Sequence, residues 1–212
     1  MSIAKTPITE LVLPVFKDDA ETISTIQTVG HEIFSLLVGI PGIQFIAHGF
    51  VIYDEGKKVE STHRGVLLLE WDDLSSFHGI YPNSPKFVEF IESAKPLLSE
   101  PSAPKLHASV TSPVGAGSAG VTQIVKVKEG HDTEEVWERL SEYLGGKEQA
   151  LSLSHSKGVE GEEGIFLGLI GWGSVDAYME SKSDETLVNL LEQLGGNGKE
   201  LDVVAQLQTI TV

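Results

Sequence analysis

The sequence predicts an α+β chain made of two tandem β-α-β-β-α-β repeats. An apolar run of strand length, Gly65-Val-Leu-Leu-Leu-Glu-Trp71, ends in Trp and leads into a short helical turn, then a helix opening at Ser84-Pro85. The same plan returns at Phe166-Leu-Gly-Leu-Ile-Gly-Trp172, with Gly173 to Met179 as the turn and Asp184 to Leu194 as the helix. A unit that recurs in this way marks a duplicated fold. Between the copies lies Ser112-Pro-Val-Gly-Ala-Gly-Ser-Ala-Gly120, a flexible linker by composition. The expected boundaries are therefore 1–111, a linker over 112–120, and 121–212.

Taken in order, residues 1–7 read as a loose arm and Ile8 to Val15 as a strand, with Pro14 near its end, where a lost donor matters least. A helix follows from Asp18 to Val38. Ile23, Ile26, Val29, Ile33 and Leu37 recur at helical spacing as its buried stripe, and Asp18, Asp19 and Glu21 suit its positive end. Gly39 and Pro41 stop it. Ile43 to Tyr53 is the second strand, Asp54 to Lys58 a turn, and Val59 to Arg64 a polar loop or strand extension. After the Trp71 strand, Asp72 or Asp73 starts the short helix. Ser84 caps the next one, with Pro85 at its first position. Leu106 to Val110 closes the repeat.

The second copy follows the same order. Val121 to Lys128 is a strand. Asp132 to Leu144 is a helix burying Val136, Trp137, Leu140, Tyr143 and Leu144. Ala150 to Ser156 is the next strand, Glu160 to Gly164 a turn, and Val203 to Val212 the last strand. The order is ferredoxin-like. Such a sheet carries its helices on one face and leaves the other apolar, so two sheets are expected to pack face to face within the chain.

Composition excludes several function classes. The 212 residues carry 31 acidic and 15 basic side chains, a formal charge of −16, which repels phosphate backbones; no nucleic-acid partner is expected. No run approaches the ~20 apolar residues of a membrane span, and the first twenty residues lack a signal-peptide pattern. With no cysteine there are no disulfides or thiolate metal sites, and a cytoplasmic location is expected.

With Trp closing the third strand of each copy, this plan resembles the dimeric α+β barrel superfamily. Its antibiotic-biosynthesis monooxygenase-like and stress-responsive A/B barrel branches fit best, in the fused version found in filamentous fungi. Trp71-Asp-Asp-Leu-Ser-Ser-Phe-His78, Ser84-Pro-Lys-Phe-Val-Glu-Phe90 and Lys95-Pro-Leu-Leu98 carry the resemblance. It implies a pseudo-dimeric barrel within one chain, further homodimerisation being left open. It also implies a pocket at each sheet and chemistry ranging from cofactor-free oxygenation of aromatic polyketides to cyclisation, haem degradation or no activity. Trp71 and Trp172 match the Trp that lines the oxygenases' pocket. Residues 85–98 and 184–194 hold no His, which departs from the haem-degrading pattern. His78 and Tyr81 lie near the region where the cyclases use a His and a Tyr.

The seven His residues are 31, 48, 63, 78, 107, 131 and 155. None forms His-x-x-x-His, and the His131–Glu134 spacing lacks a third ligand, so no metal is expected. Aligning the copies sets His48 opposite His155. The other titratable positions are one-sided: Glu10 against Gln123, Glu70 against Gly171, His78 against Met179, and His107 against Val203 or Val204. A single reactive pocket therefore belongs in the first copy. Gly115 to Gly120 mimics a phosphate loop but precedes a strand, so the phosphate-binding mechanism is absent.

A cofactor-free site needs a base, flat apolar walls and oxyanion donors. The expected catalytic residues are His48, His78 and Trp71. Phe50, Tyr53, Phe77, Glu70, His155 and Trp172 are expected to contact substrate, with Tyr81, His63 and His107 as donors. The leading reading is a cofactor-independent monooxygenase or cyclase acting on an aromatic or polyketide-like molecule. The alternative is a non-catalytic barrel that binds an apolar ligand.

Overall fold

The computed structural model describes residues 5–60, 63–196 and 198–212. The first half runs β1 (Ile8–Val12), α1 (Ala20–Ser35), β2 (Ile43–Asp54), a short β3 (Lys57–Lys58), β4 (Gly65–Trp71), α2 (Leu74–Ile80), α3 (Pro85–Ala94) and β5 (Lys105–Ser109). After α4 (Val114–Gly117) come β6 (Val121–Lys128), α5 (Thr133–Gly145), β7 (Ala150–Gly158), β8 (Ile165–Trp172), α6 (Val175–Ser181), α7 (Glu185–Gly195) and β9 (Lys199–Ile210). The arm and polar-loop expectations fall partly outside the described residues.

The strands close into an antiparallel barrel in the order β2-β4-β1-β5-β7-β8-β6-β9, with β9 pairing back onto β2 and β3 appended to β2. Two seams join the halves. One pairs β5 with β7, from His107 opposite Gly158 to Ser109 opposite Ser156. The other pairs β2 with β9, from Ile46 opposite Ile210 to Asp54 opposite Val203. Face-to-face stacking of two separate sheets is thus corrected to edge-to-edge closure around a shared interior. The reason is strand length: β9 starts four residues before the expected Val203, at Lys199. It pairs with β6 on one side and β2 on the other, which leaves no open edge there.

Closure explains why β4 is buried along its whole length and apolar but for Glu70. Successive side chains point to opposite faces, and both faces are dry. Val66 and Leu68 face the barrel interior with Leu11, Phe45, Ile124, Leu169 and Leu207. Leu67, Leu69 and Trp71 face α1, α2 and α3. A matching layer packs α5 and α7 on Phe166, Ile170 and Trp172.

Side-chain caps fix the helix starts. Asp73 accepts from the Ser76 amide, Ser84 from Phe87, Ser174 from Ala177 and Asp184 from Leu187. The buried stripe of α1 differs from the expected one: it is Thr22, Ile26, Gly30 and Phe34, rotated so that Phe34 meets His48 and Phe90. Residues 112–120 also differ from expectation. They form α4, whose Ala116 is fully buried in the barrel interior. A Cβ on Gly117 would press on Phe45 and Leu68, so this turn closes one end of the barrel.

Candidate active site

The residue on which the site turns is Glu10. In β1, Leu11 faces the barrel interior and Ile8 faces the helices, so alternation sends Glu10 to the helix side. It is 3% exposed, and its carboxylate accepts a 2.6 Å hydrogen bond from Trp71 Nε1. Burial pushes the Glu10 carboxyl up to about 7, against the lowering pull of the Trp71 bond. Glu10 and Trp71 lie in the wall of a cavity of about 290 Å³ between the sheet and α3. Its other walls are largely apolar: Phe34 and Leu37 from α1, Leu67 and Leu69 from β4, Tyr81 and Pro82 after α2, and Phe87, Phe90 and Ile91 from α3.

The aromatic side chains around Trp71 hold it in place. Phe77 meets the indole edge-on at 5.6 Å and 87°, and Tyr81 stacks on Phe77 at 5.0 Å. Of the expected residues, Trp71 and Tyr81 line the cavity, while Phe77 supports both from behind.

The histidines lie elsewhere. His48 stacks on Phe34 at 4.4 Å, with Nε2 3.4 Å from His31 Nδ1. It is 4% exposed, and burial, with His31 adding to it, pushes it down to about 4. It is therefore neutral at neutral pH and supports the cavity-lining Phe34. His78 is on the surface. Its Nε2 lies 2.8 Å from Glu160 Oε1, tying α2 to the β7–β8 turn. His107 faces the barrel interior, fully buried, 4.0 Å from the Glu162 carboxylate. Burial pushes it down to about 4, only partly offset by Glu162. His63 lies in a loop 4.0 Å from Asp18 Oδ1. His155 stacks on Phe166 at 5.4 Å beside Trp137, and burial lowers it too.

Three further expected residues lie away from this cavity. Phe50 packs on Phe16, Tyr53 packs on Tyr178 of the second half at 5.2 Å, and Glu70 is buried near Ser112. Burial raises Glu70, and the Ser112 hydroxyl moderates this. Among the described residues, no three His, Asp or Glu side chains converge as a metal-binding group.

The strand registers allow the two halves to be compared position by position. His48 faces Leu67 and His155 faces Gly168, each four residues before its strand-end Trp. Glu10 faces Leu69 and Gln123 faces Ile170, each two before it. One pairing is corrected: Thr9 faces His107 and Thr122 faces Ala205, so the counterpart of His107 is Ala205. Glu10 carries a readable signal. It is a lone carboxylate between Ile8 and Val12 on a face whose alternate positions are apolar, and the other copy holds an uncharged Gln there.

No protein-family model matches the chain, and no curated protein matches it. Solved structures do. A candidate monooxygenase from Fusobacterium nucleatum subsp. nucleatum superposes with a TM-score of 0.64 at 11% identity, over 98% of this chain and 95% of that one. An anthrone oxidase-like protein gives 0.63 at 13% identity, over 99% and 95%. A chlorite dismutase variant from Candidatus Nitrospira defluvii gives 0.60 at 10% identity, over 98% and 92%. These likenesses establish a shared barrel fold. The names of these proteins span different chemistries, so function has to be argued from the site.

Proposed function

We propose that this chain is a cofactor-independent enzyme of the monooxygenase type, acting on an aromatic or polyketide-like molecule in the first-half cavity, with Glu10 as its base. The observation that carries this is the Glu10 carboxyl, buried in an apolar cavity, held by one indole N–H and poised at about 7. A base is most effective when its pKa lies near the working pH. The anthrone oxidase-like neighbour supplies the substrate class. Glu10 takes a proton from an activated CH₂ group, and the resulting carbanion reacts with dioxygen to form a hydroperoxide. Glu10 returns that proton to give the hydroperoxide, then removes the remaining C–H proton as the C=O forms and the O–O bond breaks, and passes it to the departing hydroxide. One oxygen atom stays as a carbonyl and the other leaves as water, so the equation balances with dioxygen as sole oxidant. Trp71 orients the carboxylate, and the rings of Phe34, Tyr81 and Phe87 hold a flat substrate against it.

The same reading takes residues 1–111 and 121–212 as copies of one ferredoxin-like unit joined through 112–120, a pseudo-dimer within one chain. Their matching element order and the His48/His155 register support it. The test is oxygen uptake on anthrone, corrected for autoxidation. Glu10→Gln lowers the rate by roughly 10²–10⁴-fold, while His78→Ala leaves it unchanged. A Glu10→Gln protein at full rate overturns the assignment. Binding of anthrone without uptake by the native chain points instead to a binding protein.

A further inference from the structure

Glu10 is a buried carboxylate to which the fold brings no positive charge. Glu162 shows the usual arrangement. It is 6% exposed, lies 2.7 Å from Lys105 Nζ and also pairs with Lys126. Despite burial, these two cations hold its carboxyl below the ordinary value. Glu70, also buried, borders the Ser112 hydroxyl. Glu10 has the Trp71 N–H on Oε2, and among the described residues no Lys, Arg or His pairs with it. Unlike Glu162, it opens on a cavity. Among the described residues that lining holds no Lys, Arg or His; its charged groups are Glu10 and Glu92, and Tyr81 is its other titratable side chain. Glu92 stands at the mouth, its side chain 65% exposed, beside the exposed Val88 and Ile91. Lys95 lies 3.7 Å from Glu92 on the solvent side, outside the lining, and Lys86 of α3 reaches the Val38 carbonyl instead. Aromatic rings make up much of the wall. Tyr81, Phe87, Phe90 and Phe34 follow one another with centroids 5.2, 6.0 and 6.0 Å apart, and Trp71 joins them.

A carboxylate set among aromatic rings, with no cation of its own, is complementary to a weakly hydrated cation that carries apolar surface. The rings attract positive charge, the carboxylate supplies the counter-ion, and the apolar walls take the organic body. An anion meets two carboxylates and no cation. We propose that the first-half cavity is a binding site for organic ammonium ions, quaternary or protonated tertiary amines on an apolar body, with the Glu10 carboxylate as their counter-ion. Trp71 holds Oε2, which leaves Oε1 to the guest. Such a guest blocks the reaction proposed above, because it keeps Glu10 ionised and fills the space of the flat substrate. Its binding is read without turnover, so the two proposals stand or fall separately.

The probe is phenyltrimethylammonium, with its neutral isostere tert-butylbenzene and the anion benzenesulfonate beside it, at pH 8, above the Glu10 value of about 7. Binding is read from the Trp71 indole N–H signal of the ¹⁵N-labelled full chain, assigned with Trp71→Phe. Phenyltrimethylammonium shifts this signal at millimolar concentration or below, and benzenesulfonate does not. Glu10→Gln keeps an acceptor for Trp71 but carries no charge. It weakens the cation by about tenfold or more and changes tert-butylbenzene by less than about twofold. A second reading needs no variant. In the native chain the cation moves the ¹³C titration of the Glu10 carboxyl down by about one pH unit or more, the linked counterpart of that tenfold, while tert-butylbenzene does not lower it. A Trp71 signal that stays put up to millimolar phenyltrimethylammonium overturns the proposal. So does benzenesulfonate binding as tightly as the cation, an unchanged cation affinity in Glu10→Gln, or a Glu10 titration that the bound cation leaves in place.

Discussion

Replacing Glu10 with Gln changes stability by an amount that depends on pH, and the size of that dependence follows from where the carboxyl sits. In the unfolded chain the group titrates near 4.5; in the fold, burial moves it to about 7. A pKa raised by folding contributes stability that is present below 4.5 and lost as pH rises through 7, because the folded state holds its proton longer. At 1.36 kcal/mol per unit, the raised pKa lowers the stability of the fold, relative to its low-pH value, by about 1 kcal/mol at pH 5 and about 3 kcal/mol at pH 8. Gln keeps an oxygen that can accept from Trp71 Nε1 and has nothing to ionise. The stability of Glu10→Gln relative to the native protein therefore rises by about 2.5 kcal/mol between pH 5 and pH 8. Urea unfolding of both proteins at the two pH values reads this directly, and every other titrating group, His48 and His107 included, cancels in the difference. A difference that stays constant within about 0.5 kcal/mol refutes the perturbed carboxyl and removes the ground for Glu10 as base.

His48 titrates with the opposite sign: folding lowers it from 6.5 to about 4, so it stabilises above 6.5 and that contribution is lost as pH falls toward 4. In thermal melts or urea titrations, His48→Leu should therefore lose about 2.5 kcal/mol less than the native chain between pH 7 and pH 4.5. A Cβ on Gly49 would overlap the Gln206 carbonyl across the β2–β9 seam, so Gly49→Ala should cost at least about 2 kcal/mol by urea unfolding. His78→Ala removes an exposed contact with Glu160 and should cost less than about 1 kcal/mol, as read by the melting temperature.

Much of this architecture is written locally. The Trp-ended runs and the Asp and Ser caps depend on residues close in sequence, and the structure keeps each of them. The seams are not local, since nothing within Lys199–Ile210 announces that β2 will be its second neighbour. Distance along the chain also hides why Tyr53 packs with Tyr178 and why Ala116 fills the barrel end. The site was half legible. Trp71 and Tyr81 follow from their place after the apolar run, whereas Glu10 meets Trp71 only through the β1–β4 pairing, which no local pattern announces. His48 and Glu10 both face helices, yet Phe34, absent from the expected α1 stripe, stands between His48 and the cavity.

The two seams have a consequence for how the molecule responds to dilution and to change. A ring assembled from two separate chains falls apart when the chains are scarce, and any altered residue is present twice. Here β5–β7 and β2–β9 are closed by segments of one polypeptide, so the effective concentration of each partner is fixed by the chain itself. A single replacement touches one wall and leaves its counterpart as it was. Glu10 diagonal to Trp71 and Gln123 diagonal to Trp172 across their strand pairs is an asymmetry that a ring of identical subunits could not hold.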